Sequence, residues 1–425
     1  MKIIQIGSTG IYVELLQSTL KKIGYYDSNL DGMFGEKTMI AVKNFQEQFG
    51  IDDDGVVGNI TWNKLFPYIN GFTRYIVKIN DTLTSIATYF DINIDRILAA
   101  NPNLSINSIL NIGDEIIVPF SFIVPTNISY TYDILKLNLS ALSKVYPFLE
   151  FQNTGFSVMG KDIPVIKVGT GNRKVFYSGS IHANEWITTP ILMKFLEDFS
   201  LAYTTNSSIF NYSAKDIYSN CTIYIMPMIN PDGVDLVTNN ISKDSLEYIN
   251  AKKISKNFPD ISFPDGWKAN INGVDLNLQF PAGWLEAKKI KFSQGYTSPA
   301  PRDFVGFGPL TESESLAVYN FTLLNDFRLV LAYHTQGEVI FWKYKDFLPK
   351  DSFFIGSKFS KVSGYLLADT PFNSSFAGYK DWFIKIYNKP GYTIEAGFGE
   401  NPLPISDFDK IYLDNIGILV LGAIL

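Results

Sequence analysis

The chain has two histidines in 425 residues, and each stands where a metal site would need it. His182 lies in Ser180-Ile181-His182-Ala183-Asn184-Glu185-Trp186, and His334 in Ala332-Tyr333-His334-Thr335-Gln336-Gly337. A His-x-x-Glu pair, His182 with Glu185, plus the distant His334 makes a His₂Glu set, one of the ligand sets of catalytic zinc, which leaves the fourth tetrahedral position to a water. Zinc held this way lowers the pKa of its water toward about 7 and polarises a carbonyl. Hydrolysis by that route also needs a carboxylate outside the coordination sphere, to take the water's proton and return it to a leaving amine. Glu395, in Gly391-Tyr392-Thr393-Ile394-Glu395-Ala396-Gly397, is the candidate. The tetrapeptide alone is weak, because a loop histidine bonded to a nearby carboxylate explains it equally well. The conjunction is what carries weight.

These residues need elements that bring them together. His182 follows the apolar run Val175–Gly179, His334 follows Leu329–Tyr333, and Glu395 lies toward the end of Tyr392–Ala396. Each run reads as a strand, as does Thr222–Met228. Helical stretches at Thr189–Phe199, Glu312–Leu324 and Ser352–Ala368 separate them. The alternation predicts an α/β sheet covered by helices on both faces. Open α/β sheets place their ligand sites at the carboxyl ends of strands, which is where all four residues fall.

Composition narrows the class. Hydrophobic residues make up 46% of the chain and charged residues 18%, so it reads as globular. A net charge of -6 with no basic stripe argues against nucleic acid as a partner. The single Cys221 excludes an internal disulfide framework and a Cys-rich metal site. The N-terminus lacks the apolar core of a signal peptide, and no apolar stretch reaches the roughly 18 residues of a spanning helix. The apolar end, Ile416–Leu425, reads as a buried terminal helix. The expectation is a protein made in the cytoplasm, with no membrane span.

Two smaller units precede the α/β region. Residues 1–70 carry helical periodicity at Val13, Leu16, Leu20 and Ile23 and again at Ile40, Ala41, Phe45 and Phe49. Two Asp-Gly-x-x-Gly turns, at Asp31 and Asp54, each precede a helix. Calcium loops are the sharper reading of these turns, but the further oxygen ligands of such a loop are missing. The segment resembles the peptidoglycan-binding domain of bacterial wall hydrolases through Gly7-Ser8-Thr9-Gly10, Leu16-Gln17, Gly24-Tyr25-Tyr26, Phe45-Gln46 and Thr61-Trp62. Residues 74–120 resemble a LysM module. Tyr75-Ile76-Val77 reads as a strand, Asn80-Asp81-Thr82-Leu83 opens a helix, a second helix ends near Asn101-Pro102, and Gly113–Pro119 closes as a strand. LysM modules bind N-acetylglucosamine-containing glycan, which implies peptidoglycan glycan strands as a partner. Pro119 to Pro125 reads as a linker.

Residues 125–425 resemble the zinc carboxypeptidase family. The matching residues are His182-Ala183-Asn184-Glu185-Trp186, Asn230-Pro231-Asp232-Gly233, Gly273-Val274-Asp275-Leu276-Asn277, His334, Asp381 and Thr393-Ile394-Glu395. The resemblance implies a mixed-sheet α/β/α fold, one zinc per chain on His182, Glu185 and His334, and Glu395 as general base. Family exopeptidases follow the motif's Asn with an Arg that helps grip a C-terminal carboxylate. Here Asn277, implied as a substrate contact, is followed by Leu278, which cannot form a charge-assisted pair. Trp267-Lys268 stands where many relatives have Trp-Arg, so Lys268 is implied as the oxyanion-stabilising cation.

The Gly273–Ala282 segment is similar to the γ-D-glutamyl-diamino acid peptidases of spore-forming bacteria. That branch cuts between γ-D-glutamate and meso-diaminopimelate in stem peptides, and it usually has Asp where Leu278 stands. Lys380 directly precedes Asp381, at the family position that forms the base of the leaving-side pocket, and there it would favour a carboxylate such as the one ending the diaminopimelate side chain. Arg302, expected in a surface loop, is the candidate to supply the carboxylate contact missing at Leu278. The family's mobile tyrosine has no clear counterpart: its expected place is held by Asn373, with Tyr379 nearby. The expectation is a zinc peptidase of stem peptides, acting inside the cell on wall fragments or reaching the wall through sporulation. The rivals are a carboxypeptidase of ordinary specificity and an inactive wall-binding protein.

Overall fold

The structure, a computed structural model, describes residues 1–425. The chain forms two compact units, one of Met1–Ser129 with Asp133–Leu149, the other of Tyr130–Tyr132 with Glu150–Leu425.

The first unit begins with three helices, Ile11–Lys22, Glu36–Gln48 and Asn59–Asn70. A repeated device sets the turns between them. Gln17, fully buried, accepts from Gly32 N (3.0 Å) and donates to Asp31 Oδ1 (2.8 Å) and Thr38 Oγ1 (3.1 Å). Gln46 does the same with Gly55 N (2.9 Å), Asp54 Oδ1 (3.0 Å) and Thr61 Oγ1 (3.1 Å). Both aspartates also accept from the backbone two residues on, at 2.9 Å from Met33 N and 2.8 Å from Val56 N. The Asp-Gly turns are therefore built by side-chain hydrogen bonds to buried glutamines, which accounts for both aspartates without a cation.

Next comes a βααβ module. The strand Phe72–Ile76 pairs antiparallel with Glu115–Pro119, and helices Leu83–Tyr89 and Ile94–Ala100 lie between them. Thr82 and Ser85 cap the first helix reciprocally. Val77, Leu83, Ile86, Ile97, Ile116 and Val118 form its core. The segment expected as a linker is pinned at its start, with Phe120 N and Ser121 N both donating to Gly71 O (2.9 and 3.0 Å). Helix Tyr132–Val145 follows.

The second unit holds an eight-stranded mixed sheet. Its strands are β1 (Glu150–Phe156), β2 (Asp162–Val168), β3 (Arg173–Ser178), β4 (Cys221–Met226), β5 (Leu329–His334), β6 (Val339–Phe341), β7 (Leu366–Ala368) and β8 (Gly391–Glu395). They lie in the order β7-β6-β8-β5-β3-β4-β2-β1. The central run β8-β5-β3-β4 is parallel, and antiparallel pairs flank it. Alternate residues face opposite layers. Phe176, Val330 and Ala332 pack under Val318 and Phe321 of helix Ser313–Leu323 and under Trp382 and Phe383 of helix Tyr379–Tyr387. Tyr177 faces the other way and donates to Leu419 O (2.8 Å) in the buried C-terminal helix Phe408–Ile424. That helix approaches so closely that a Cβ on Gly422 would stand 2.7 Å from the Tyr177 hydroxyl. The result is the three-layer α/β/α architecture read from the sequence. No helix is long and apolar enough to cross a membrane.

One helix is shorter than its periodicity suggests. The stretch Ser352–Ala368 is helical only to Ser363, where left-handed Gly364 (φ 79°) ends it, and Leu366–Ala368 continues as β7.

Candidate metal centre and active-site cleft

The ligand-bearing loops are shaped by local hydrogen bonding. β3 gives way at Ser180, a non-glycine residue at φ 48°. Its backbone N donates to Thr188 Oγ1 (2.8 Å) and its hydroxyl shares a hydrogen bond with Thr189 Oγ1 (2.7 Å), which hold the unusual conformation. A short 3₁₀ turn, Ala183–Glu185, then brings His182 and Glu185 side by side. Asn230 braces this loop from the end of β4. Its amide nitrogen donates to Ile181 O (3.3 Å) and Ala269 O (3.0 Å), while its oxygen caps the next helix through Gly233 N (3.0 Å). Gly233 has no room for a side chain, because a Cβ there would meet the Ala183 Cβ at 2.7 Å. His334 ends β5 and Glu395 ends β8, and parallel pairing sets the two directly beside each other.

Three ligand residues converge. Glu185 Oε1 lies 3.0 Å from His182 Nδ1, Glu185 Oε2 lies 3.0 Å from His334 Nδ1, and the two Nδ1 atoms are 3.2 Å apart. All three residues are buried. A tetrahedral zinc with bonds of about 2.0–2.1 Å has ligand–ligand edges of about 3.3–3.4 Å, and each of these separations is close to that length. Two ring nitrogens facing each other can share at most one proton, whereas a cation between them satisfies both. On the far side of the ring, His182 Nε2 meets Asp275 Oδ1 at 3.1 Å, which favours the Nε2–H tautomer and turns the Nδ1 lone pair inward. The donor set fits zinc.

The electrostatics match. Burial opposes the His182 charge, but Glu185 and Asp275 more than reverse this, and without metal its pKa is raised to about 9. Burial likewise pushes the Glu185 and Asp275 carboxyls up, yet the neighbouring cations outweigh it and hold both well below their usual range. Lys268 rests its ammonium 2.8 Å from Glu185 Oε1; burial works against its charge and Glu185 restores it, so its pKa is raised. Glu395 is different. Burial raises its carboxyl, and Glu185 adds to this while His334 opposes it.

Residues 137–415 match the model of the zinc carboxypeptidase family. The chain belongs to the zinc carboxypeptidase family. Residues 9–65 match a peptidoglycan binding domain and residues 75–119 a LysM domain. The chain is 44% identical, over 70% of its length and 73% of the relative's, to gamma-D-glutamyl-L-diamino acid endopeptidase 1 of Lysinibacillus sphaericus. It is 39% identical to the uncharacterized protein YqgT of Bacillus subtilis, over 68% of this chain and 76% of that one. Among solved structures, thrombin activatable fibrinolysis inhibitor shares the fold, with a TM-score of 0.55 and 18% identity over 70% of this chain and 74% of that one.

In this carboxypeptidase fold a cleft of about 260 Å³ opens over the ligand set. Lys268, Asn277, Arg302, Lys380 and Glu395 all line it with the three ligands, so the residues given a role from the sequence lie around one cleft. Asn277 lies 3.4 Å from His334 Nε2 through its amide nitrogen, and its oxygen accepts from Tyr379 N (3.0 Å). Leu278 turns into an apolar cluster with Ala287, Val305 and Phe376. Lys380 is nearly buried, and its ammonium already meets Asp381 Oδ1 (2.8 Å), Lys343 O (2.8 Å) and Thr370 Oγ1 (3.0 Å). Arg302 uses only its Nε, on Asp303 Oδ2 at 2.8 Å.

No tyrosine lines the cleft. Tyr379 is fully buried and bonded to Thr322 Oγ1 (3.0 Å), and Asn373 sits in the short turn Phe372–Ser374. Two residues of the site carried no assigned role in the sequence. Asp275 was visible inside its motif, and its role follows only from its distance to His182. Lys291, which pairs with Asp303 (2.5 Å) at the cleft wall, comes from the lysine-rich helix Trp284–Ser293, where nothing in the sequence separates it from Lys288 and Lys289.

Proposed function

We propose that the protein is a zinc peptidase that hydrolyses the γ-D-glutamyl–meso-diaminopimelate bond of peptidoglycan stem peptides. His182, Glu185 and His334 hold one zinc per chain. When bound, zinc supplies a Lewis acid and a water of lowered pKa. Glu395 takes the proton of the attacking water and delivers it to the leaving amine. Its raised pKa suits both halves of that task, since a stronger acid would accept the proton poorly. Lys268 is the cation placed to offset charge on the carbonyl oxygen. Asn277 orients the peptide from the leaving side.

The leaving residue's distal carboxylate lies against Lys380. The neutral Thr370 hydroxyl is the partner it displaces, since Asp381 remains as counter-ion. The observation that carries the reading is that the ligand set, Glu395 and Lys380 share one cleft, while Leu278, next to Asn277, packs into an apolar cluster and offers no charge to a terminal carboxylate. The similarity to a gamma-D-glutamyl-L-diamino acid endopeptidase supports a substrate of this class. The matches to wall-binding domains support peptidoglycan as the partner. Tethering on glycan raises the local concentration of stem peptides at the cleft.

The deciding experiment measures zinc content and, by mass spectrometry, the products from defined muropeptides, for wild type and Glu395→Gln. Wild type is expected to release diaminopimelate-containing peptides. Glu395→Gln should keep its zinc and lose about 10²–10⁴-fold in kcat. Metal-free protein that cleaves nothing would instead make the chain a wall-binding protein. Release of single C-terminal residues, blocked by an amidated C-terminus, would make it a carboxypeptidase of ordinary specificity.

A further inference from the structure

The cleft carries cations on both sides of the ligand set. Along the sheet, Lys380 belongs to the β6/β7 flank, since it bonds Lys343 O just beyond β6 and Thr370 Oγ1 just beyond β7. Glu395, His334 and His182 follow in order on β8, β5 and the loop after β3. Arg302 lies past them on the β3/β4 flank. The preceding residue ties it there, because Pro301 O accepts from both Lys268 N (2.8 Å) and Ala269 N (2.9 Å). Ala269 O is in turn held by Asn230 at the end of β4.

The two flanking cations differ in availability. Lys380 has spent its donors within the protein. Arg302 is fixed by its Nε on Asp303, and Asp303 is itself anchored by Lys291 (2.5 Å) and by its backbone N on Asp275 Oδ2 (3.2 Å). The Arg302 side chain remains 44% exposed at the cleft wall, and its two η nitrogens bind nothing in the protein. A planar fork oriented in this way, with its outer donors unengaged, matches the geometry of a carboxylate.

We propose that Arg302 grips the free α-carboxylate of the γ-linked D-glutamyl residue on the acyl side of the scissile bond, and that this contact selects the free acid over its carboxamide. The inference rests on the reading given under Proposed function, which assigns the Lys380 flank to the leaving residue. A γ-linked glutamyl residue puts its side-chain carboxyl into the amide and leaves its α-carboxylate free, a few bonds from the reacting carbonyl. D-isoglutamine, with a carboxamide in the same position, offers no charge and only one acceptor to the fork.

The test uses the zinc-loaded full chain with two tripeptides, L-alanyl-γ-D-glutamyl-diaminopimelate and its D-isoglutaminyl counterpart. Wild type is expected to favour the acid by about 10–100-fold in kcat/KM, the range of a charge-assisted pair. Arg302→Gln should lose that factor on the acid, change less than about 3-fold on the amide, and so level the two. Arg302→Lys, which keeps charge without the fork, should recover part of the preference. Equal losses on both substrates, or a wild type without preference, would overturn the proposal.

Calorimetry of the product dipeptides L-alanyl-D-glutamate and L-alanyl-D-isoglutamine reads the same contact without hydrolysis. If wild type cleaves neither tripeptide but binds the acidic dipeptide in an Arg302-dependent way, the assigned reaction falls and the anchor stands. If it cleaves the acid with no dependence on Arg302, the anchor falls and the reaction stands.

Discussion

Substitution of Asp275 separates orientation of a metal ligand from charge near it. Asp275 Oδ1 lies 3.1 Å from His182 Nε2, and the same oxygen caps the turn Leu276–Leu278 through Asn277 N (3.2 Å). Asp275→Asn keeps an oxygen acceptor for both donors and removes the charge. Asp275→Ala removes the acceptor as well and frees the ring to rotate. Partners of this kind contribute about 10–100-fold in metal affinity. The expectation is about 10-fold weaker zinc binding for Asn, equivalent to about 1.4 kcal/mol, and about 100-fold for Ala. Competition with a chelator of known affinity gives both constants, and thermal melts of the metal-free variants show that the fold persists. Because the chain has two histidines, their ring protons can also be followed without crowding. In the metal-free protein, burial lowers the His182 pKa while Glu185 and then Asp275 raise it, to about 9. Asp275→Asn should lower it from there. Folded variants with wild-type zinc affinity and an unmoved His182 would refute the reasoning.

Other residues give independent checks. Lys380→Met leaves Asp381 buried without its counter-ion, which costs about 3–5 kcal/mol, and melting should show it. The double variant Lys380→Met with Asp381→Asn should regain most of that stability, and on it KM should rise for diaminopimelate peptides far more than for lysine peptides. Equal rises would end the assignment of Lys380 to a substrate carboxylate. Glu314, fully buried in the first turn of helix Ser313–Leu323, has its pKa raised by burial from 4.5 to about 7. A carboxyl that binds its proton more tightly when folded stabilises below the unfolded pKa, and that stability is lost as pH rises through about 7. Relative to Glu314→Gln, wild type should lose about 3 kcal/mol of stability between pH 4.5 and 8, measured by denaturant titration. A pH-independent difference between the two would contradict this.

How much was legible depended on whether a signal was local. The strands carrying His334 and Glu395 were readable because β5 and β8 lie inside a parallel sheet and appear as unbroken apolar runs. β2 was harder, since Pro164 interrupts its run and, like β1, it lies toward the sheet's edge. Gly364 signalled the end of its helix, yet periodicity carried the reading four residues past it. The ligand set could be picked out because histidine is so rare here. Roles that depend on distant partners could not. Asn230 reads as an ordinary turn residue until its amide is seen joining residues 49 and 39 positions away. The surroundings of Lys380 were equally hidden, because sequence does not reveal that Thr370 and Lys343 curl back to bond it.

The charges in the cleft argue for recognition of a bond's surroundings rather than of a chain end. A terminal carboxylate placed beside Leu278 would lose its water against Ala287, Val305 and Phe376 and gain no cation there, a cost of several kcal/mol. Cations stand instead on the two flanks, Lys380 beyond β6 and β7 and Arg302 beyond β3, where the proposed reading puts the charged groups of the substrate. Such an arrangement favours a peptide with acidic groups on both sides of the scissile amide and is indifferent to whether the chain continues past the leaving residue. That is the requirement for working on stem peptides still attached to other material. It is also the setting in which wall-binding domains on the same chain are useful, because a tether helps only if the enzyme accepts a substrate that remains part of the polymer.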